Sequence, residues 1–407
     1  MTERAVAPAD GPGGSADPAQ DGVEEIRFRD GVRDAVLLFL VVRIGLFLIS
    51  AIAAQGLLPI PPGQPATDSG FAPPSLEPGW HVLFTGTQRQ DALWYMRLAT
   101  GGYAIGDPSA AFFPLYPWLV GVVSSLPGVG PLAAGLVVSH LSFVGALVVG
   151  HALTRLEFGG DPGTARRAIR YLAIFPTAFF FLAPYTEALF LLLCLLAFWW
   201  ARRDRWGLAA TVGALAALSR SVGVVLVLAL GVEAIHQWRE QGRPLLPRLA
   251  AASATVLGPL AWFAWWQVRF GDLWAPLDAQ RNWERASAPP WGTLADAVWH
   301  AWRYRGYWLL DLVVVLLAVI GVVLAIRRVR PSYLTYAGAS VVLPLLAPYP
   351  DRPLLSMPRF MVVVFPLAWG YAHAVERRWV PDTLVTAVFA AGFGLMAALF
   401  VAWQYVF

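Results

Sequence analysis

The sequence has no lysine, a single cysteine, Cys194, and only 14% charged residues in 407. Each scarcity excludes something. One cysteine inside an apolar run provides neither a disulfide framework nor a cysteine-ligated metal site. So little charge, beside 57% hydrophobic residues and a mean hydropathy of +0.57, lies outside the composition of soluble globular domains. There is no alternation of the kind that builds a membrane β-barrel, and no Walker loop, dinucleotide fingerprint or nucleophile elbow. No internal repeat is visible, which argues against a transporter built from inverted halves. With lysine absent, all 30 basic residues are arginine, and together with the abundance of Ala and Gly this is the bias of GC-rich coding sequence. The net charge of +4 does not point to nucleic acid, because the arginines form short clusters beside hydrophobic runs rather than one basic face.

What is present is a series of apolar runs of about 18 to 25 residues, enough to cross a hydrocarbon core of roughly 30 Å as helices. The fold class expected is all-α, a polytopic membrane protein of about 9 to 11 spans. Residues 1–32 are polar, lack the order of a signal peptide and read as a disordered cytoplasmic tail; 33–407 read as one transmembrane domain. Spans are expected near 33–56, 131–154, 168–184, 186–201, 249–269, 307–326, 332–348, 358–375 and 381–403, with a first outer loop at 57–110 and a Trp-rich outer loop at 271–306. Two segments fit less easily. Residues 111–126 are short and carry Pro114 and Pro117, and 207–236 is broken by Ser219-Arg220-Ser221; both read as interrupted or re-entrant helices. Cytoplasmic loops collect positive charge. The clusters at Arg166/Arg167/Arg170, Arg202/Arg203/Arg205, Arg239/Arg243/Arg248, Arg327/Arg328/Arg330 and Arg377/Arg378 all fall inside if 207–236 enters and returns and 111–126 does not cross.

Polar chemistry then collects on the outer side. Asp91 opens Asp91-Ala-Leu-Trp94-Tyr95-Met-Arg97-Leu98, whose helical spacing places Asp91, Trp94, Tyr95 and Leu98 on one face of an interfacial helix. Asp91 reads either as the N-cap of that helix or as a catalytic carboxylate, two roles that are compatible. Glu187 begins a span, where the helix dipole alone can account for an acid. Arg220 lies between two apolar stretches and needs an anion, either a bound phosphate or a partner such as Glu187. Arg359 begins a span just after Asp351 and Arg352, and interface snorkelling is its alternative to phosphate binding. Trp274, Trp283, Trp291, Trp299 and Trp302, among Arg281, Glu284, Arg285 and Arg303, fit a membrane-interface belt or a sugar- or lipid-contacting surface. His140 and His151 share one helix face without a carboxylate and read as packing residues rather than a metal site.

Taken in order, Asp91-Ala-Leu-Trp94-Tyr95, Gly102-Tyr103, Phe112-Phe113-Pro114-Leu115-Tyr116-Pro117, Phe175-Pro176-Thr177-Ala178-Phe179-Phe180, Tyr185-Thr186-Glu187-Ala188-Leu189-Phe190, Leu218-Ser219-Arg220 and Ser356-Met357-Pro358-Arg359-Phe360 resemble the motifs of the PIG-V-like mannosyltransferases, bacterial relatives of the enzyme that adds the second mannose to the GPI-anchor precursor. The resemblance covers about 33–375. It departs at Gln90, where the family usually has Trp. The resemblance implies a GT-C fold and a hexosyltransferase in the cell membrane, with its active site on the extracytoplasmic side. It further implies a polyprenyl-phosphate-linked donor, mannose as the sugar, and a lipid-linked or glycolipid acceptor. Asp91 matches the first-loop aspartate that acts as general base with inversion at the anomeric carbon. Arg220 and Arg359 are our candidates for the donor phosphate, with Trp94, Tyr95, Glu187 and Arg352 in supporting or substrate-binding places. No cofactor is expected, a divalent cation being the one left open, and the membrane lipids are the remaining partners. The competing functions are a lipid or polyprenol-sugar flippase, which would not need Asp91, and an inactive homologue that scaffolds an envelope complex.

Overall fold

The computed structural model describes residues 18–53, 81–279, 285–404 and 406. The first part of the expected tail, residues 54–80 of the first loop, and Arg281, Trp283 and Glu284 lie outside the described residues. Helix α1 (Pro18–Ala53) is followed by a single turn, α2 (Val82–Thr85), and by α3 (Asp91–Gly101), α4 (Leu115–Ser124), α5 (Pro131–Glu157) and α6 (Pro162–Ala173). The centre of the chain forms α7 (Glu187–Arg202), α8 (Trp206–Ser219), α9 (Val225–Gln241), α10 (Leu245–Ser253) and α11 (Leu257–Phe270). After α12 (Ala275–Asp278) and α13 (Pro290–Tyr304) come α14 (Gly306–Ala325), α15 (Pro331–Leu345), α16 (Met357–Met361), α17 (Pro366–Glu376) and α18 (Asp382–Val401). No β-strand forms among the described residues, only an isolated bridge between Tyr349 and Arg352. Among the described residues six stretches are long and apolar enough to cross a membrane: Arg29–Ala53, Pro131–Glu157, Ser221–Gln241, Leu245–Phe270, Gly306–Ala325 and Asp382–Val401. This is a helical, multi-pass architecture.

Helix α7 gives the bundle its scale. Its sixteen residues rise about 24 Å, and an ionic cluster sits at each end. At its C-terminal end Arg202 bonds Glu157, Arg330 bonds Glu233, Gln237 donates to the Ala201 carbonyl at 2.9 Å, and Arg248 and Arg243 pair with Asp204. Most of the arginine clusters expected on the cytoplasmic side are therefore gathered at this end. At the other end Glu187 meets Arg220, the tip of the α8–α9 hairpin. The hairpin thus covers the full depth of α7, and its break at Arg220 is extended backbone, φ −154°, ψ 142°. Helix α4 has ten residues, a rise of about 15 Å, half of what a crossing requires. It stays at the Glu187 end, where Tyr116 Oη donates to the Gly135 carbonyl at 3.0 Å near the start of α5. Between Asp91 and Arg166, α5 is then the one helix among the described residues long and apolar enough to cross a membrane.

Two expected spans are not continuous helices. In place of a helix at 168–184, α6 ends at Ala173 and the chain continues through Pro176 and a 3₁₀ turn at Ala178–Phe181. Pro176 has no N–H to continue the helical ladder. Irregular backbone survives here because Phe175, Phe179, Phe180, Phe181, Leu182 and Ala183 are fully buried within protein. In place of 358–375, α16 and α17 are separated by 362–365, with Pro366 at the start of α17. The groups freed by the break find partners: Tyr336 Oη donates to the Val363 carbonyl at 2.9 Å, and Thr177 Oγ1 to the Pro358 carbonyl at 2.8 Å. His140 and His151 face α1: the His140 ring lies 5.3 Å from Phe39, and His151 lies 3.8 Å from Asp34.

Candidate active site

Four chain segments far apart in sequence end at one place. Asp91 is the first residue of α3, Glu187 the first of α7, Arg220 the extended link before α9, and Arg359 the centre of the short α16. Arg359 bridges the two acids, with Nη1 donating to Asp91 Oδ2 and Nε to Glu187 Oε1. Arg220 Nη1 donates to that same Glu187 oxygen and, at 2.9 Å, to Thr186 Oγ1. The four charges form one chain, Asp91–Arg359–Glu187–Arg220, graded in depth. The Glu187 side chain is 0% exposed, Arg359 7%, Arg220 10% and Asp91 25%. Asp91, at the rim, is the most exposed of the four.

The cap position of α3 is Gln90, with no side-chain cap bond, so the Asp91 carboxylate is turned to Arg359 instead of capping its helix. Arg220 has the salt bridge to Glu187, and Arg359 is buried between carboxylates, which excludes snorkelling to the interface. Arg352 forms a bidentate pair with Asp311 of α14 at 2.6 and 2.8 Å. Trp94 stacks on Phe112, centroids 5.5 Å apart, and Tyr95 meets Phe112, Tyr116 and Tyr185 edge-on at 5.3, 5.2 and 6.1 Å. Both are buried and seat α3 on the Phe-Phe-Pro-Leu-Tyr-Pro segment. Trp274, Trp291, Trp299 and Trp302 are exposed.

The structure gives places at the site to further residues of these motifs. Tyr185 lies 4.6 Å and Phe180 5.5 Å from the Arg359 guanidinium, and Phe360 lies 5.4 Å from that of Arg220. These faces favour a cation in an otherwise apolar setting. Tyr185 Oη donates to the Arg89 carbonyl at 2.8 Å, and Arg89 donates to the carbonyls of Thr85, Gln88 and Val401 at 3.0, 3.1 and 3.2 Å, tying the turn before Asp91 to the end of α18. Gln90 (φ 51°) and Ser356 (φ 70°) both take positive φ, the first beside Asp91 and the second three residues before Arg359. Such backbone costs of order 1–3 kcal/mol in non-glycine residues and persists where its surroundings impose it.

Guanidiniums hold Oδ2 of Asp91 and Oε1 of Glu187, whereas a divalent cation takes about six oxygens. No group of three or more His, Cys, Asp or Glu that would hold one occurs among the described residues.

Neither protein-family models nor curated proteins give a match to the chain. Among solved structures the chain is similar to ArnT from Cupriavidus metallidurans bound to undecaprenyl phosphate, with TM-score 0.48 and 14% identity over 91% of this chain and 76% of that one. It is also similar to the same protein in the apo state, with TM-score 0.44 and 16% identity over 77% of this chain and 70% of that one.

Proposed function

We propose that this protein is a membrane glycosyltransferase of the GT-C type that transfers a hexose from a polyprenyl-phosphate-linked donor to a lipid-linked or glycolipid acceptor. Mannose as the sugar, the PIG-V-like family and the extracytoplasmic side of the site rest on the motif resemblance and the arginine pattern. The observation that carries the reading is the convergence of Asp91, Glu187, Arg220 and Arg359, one from each of four resembling motifs, in a single network with Asp91 at its rim. A flippase has no use for a carboxylate held in that position.

In the reaction, Asp91 takes the proton of the acceptor hydroxyl, and the hydroxyl oxygen attacks the anomeric carbon from the face opposite the phosphate. The bond from that carbon to the phosphate oxygen breaks, and its electron pair leaves with the polyprenyl phosphate. The anomeric centre inverts and the proton remains on Asp91. A base must reach within about 3 Å of the proton it removes, and the leaving phosphate needs positive charge where its own negative charge develops. Arg359 touches Asp91 in the resting site. A donor phosphate that draws this guanidinium to itself releases the carboxylate toward the acceptor.

The test is to supply membranes containing the protein with polyprenyl-phosphate [¹⁴C]mannose and to separate the lipid products. The reading expects a labelled glycolipid that depends on the protein and does not form from GDP-mannose alone. Membranes that carry folded protein and make no such product would contradict it.

A further inference from the structure

Two carboxylates and two guanidiniums cancel, so the Asp91–Arg359–Glu187–Arg220 chain is neutral as it stands. A polyprenyl-phosphate sugar brings one negative charge, and its departure as a phosphate monoester adds a second. Holding such an anion in a partly dehydrated site calls for a cation that no carboxylate has already claimed.

Arg285, in the Trp-rich loop, has that character. Among the described residues its guanidinium bonds only neutral acceptors, Nη1 donating to the Ala347 carbonyl at 3.1 Å and Nη2 to Ser356 Oγ at 3.3 Å. Ser356 opens the short helix that carries Arg359, so Arg285 rests against the element that supplies the bridging arginine. The position is built. Ala286 N donates to the Pro348 carbonyl at 2.9 Å, Ala288 N to the Leu346 carbonyl at 3.2 Å and Thr293 Oγ1 to the Leu345 carbonyl at 2.8 Å, stitching the loop to the end of α15. Arg285 is half-buried, and burial pushes its pKa below the ordinary arginine value, while Asp91 raises it and Arg359 lowers it; both site charges therefore act on it.

We infer that Arg285, which meets no carboxylate among the described residues, is a donor-phosphate residue, and that the phosphate seats between Arg285 and Arg359 beside Asp91. The inference rests on the polyprenyl-phosphate donor proposed above. It gives the Trp-rich loop a role in donor binding distinct from that of an interface belt.

The experiment measures binding without chemistry. Purified protein in nanodiscs is titrated with undecaprenyl phosphate and, in parallel, with undecaprenol, following thermal unfolding. Wild type is expected to gain stability with the phosphate and not with the alcohol. R285Q is expected to unfold at the wild-type temperature without ligand and to bind the phosphate at least about tenfold more weakly, with R285K intermediate. Equal phosphate affinity in R285Q and wild type would overturn the role of Arg285 and leave the proposed function intact. A wild-type protein indifferent to the phosphate would overturn both. If R285Q does not fold, the comparison is made with R285K and R377Q, of which only R285K should lose phosphate affinity.

Discussion

Glu187 Oε1 accepts from both Arg220 and Arg359, so this one buried atom holds two guanidiniums at the site. Removing one member of a buried ionic group costs about 3–5 kcal/mol, because the partners stay behind without their counter-charge. Glu187→Gln should therefore lower stability by roughly that amount, read as thermal unfolding in detergent. Asp91→Asn, at the rim of the chain, should cost less than Glu187→Gln, because Arg359 keeps Glu187 as its counter-charge. Arg352→Ala should also cost about 3–5 kcal/mol by leaving Asp311 buried alone, while donor KM stays close to wild type. A large rise in donor KM would return Arg352 to the site. The acids and arginines of the site were legible in the sequence because charge is rare in apolar runs, and their rarity marks them. Arg220 with Glu187 was one of two alternatives open in the sequence, but the bridge made by Arg359 was not legible. The distance from Asp91 to Arg359 is closed by the fold, and nothing local in either segment announces that one guanidinium spans both carboxylates. Arg352 shows the same limit, since nothing in its own segment announces its pair with Asp311 of α14.

Among the elements, apolar runs indicated most of the long helices, and α5, α7, α14 and α18 lie within a few residues of where hydropathy places them. The failures are at prolines inside apolar runs. Pro176 and Pro366 divide segments that hydropathy reads as continuous, because composition reports burial and says nothing of whether a buried backbone is helical. The close approach of α14 and α17 was equally hidden. A Cβ added at Gly370 would run into the backbone of Gly321, and one added at Gly321 would meet the Leu367 carbonyl, so both positions require the absence of a side chain. Gly370→Ala should destabilise the folded protein by about 1–3 kcal/mol, measured by thermal unfolding in detergent. Wild-type stability in that variant would show that the two helices have room to separate.

At the scale of the molecule, the two ends of α7 differ in kind: one gathers arginines in ion pairs, and the other gathers the candidate catalytic residues. The buried native thiol of Cys194 leaves a quiet background for labelling. An impermeant maleimide should label Trp302→Cys in intact cells and Arg205→Cys only after the membrane is opened, and the reverse pattern would invert the orientation. The most direct test of the central claim is the initial rate of mannose transfer from polyprenyl-phosphate mannose at matched levels of wild type, Asp91→Asn and Asp91→Glu in membranes. Loss of a general base predicts a fall of about 10²–10⁴ in Asp91→Asn, with partial activity retained in Asp91→Glu. Wild-type transfer by Asp91→Asn would contradict the account.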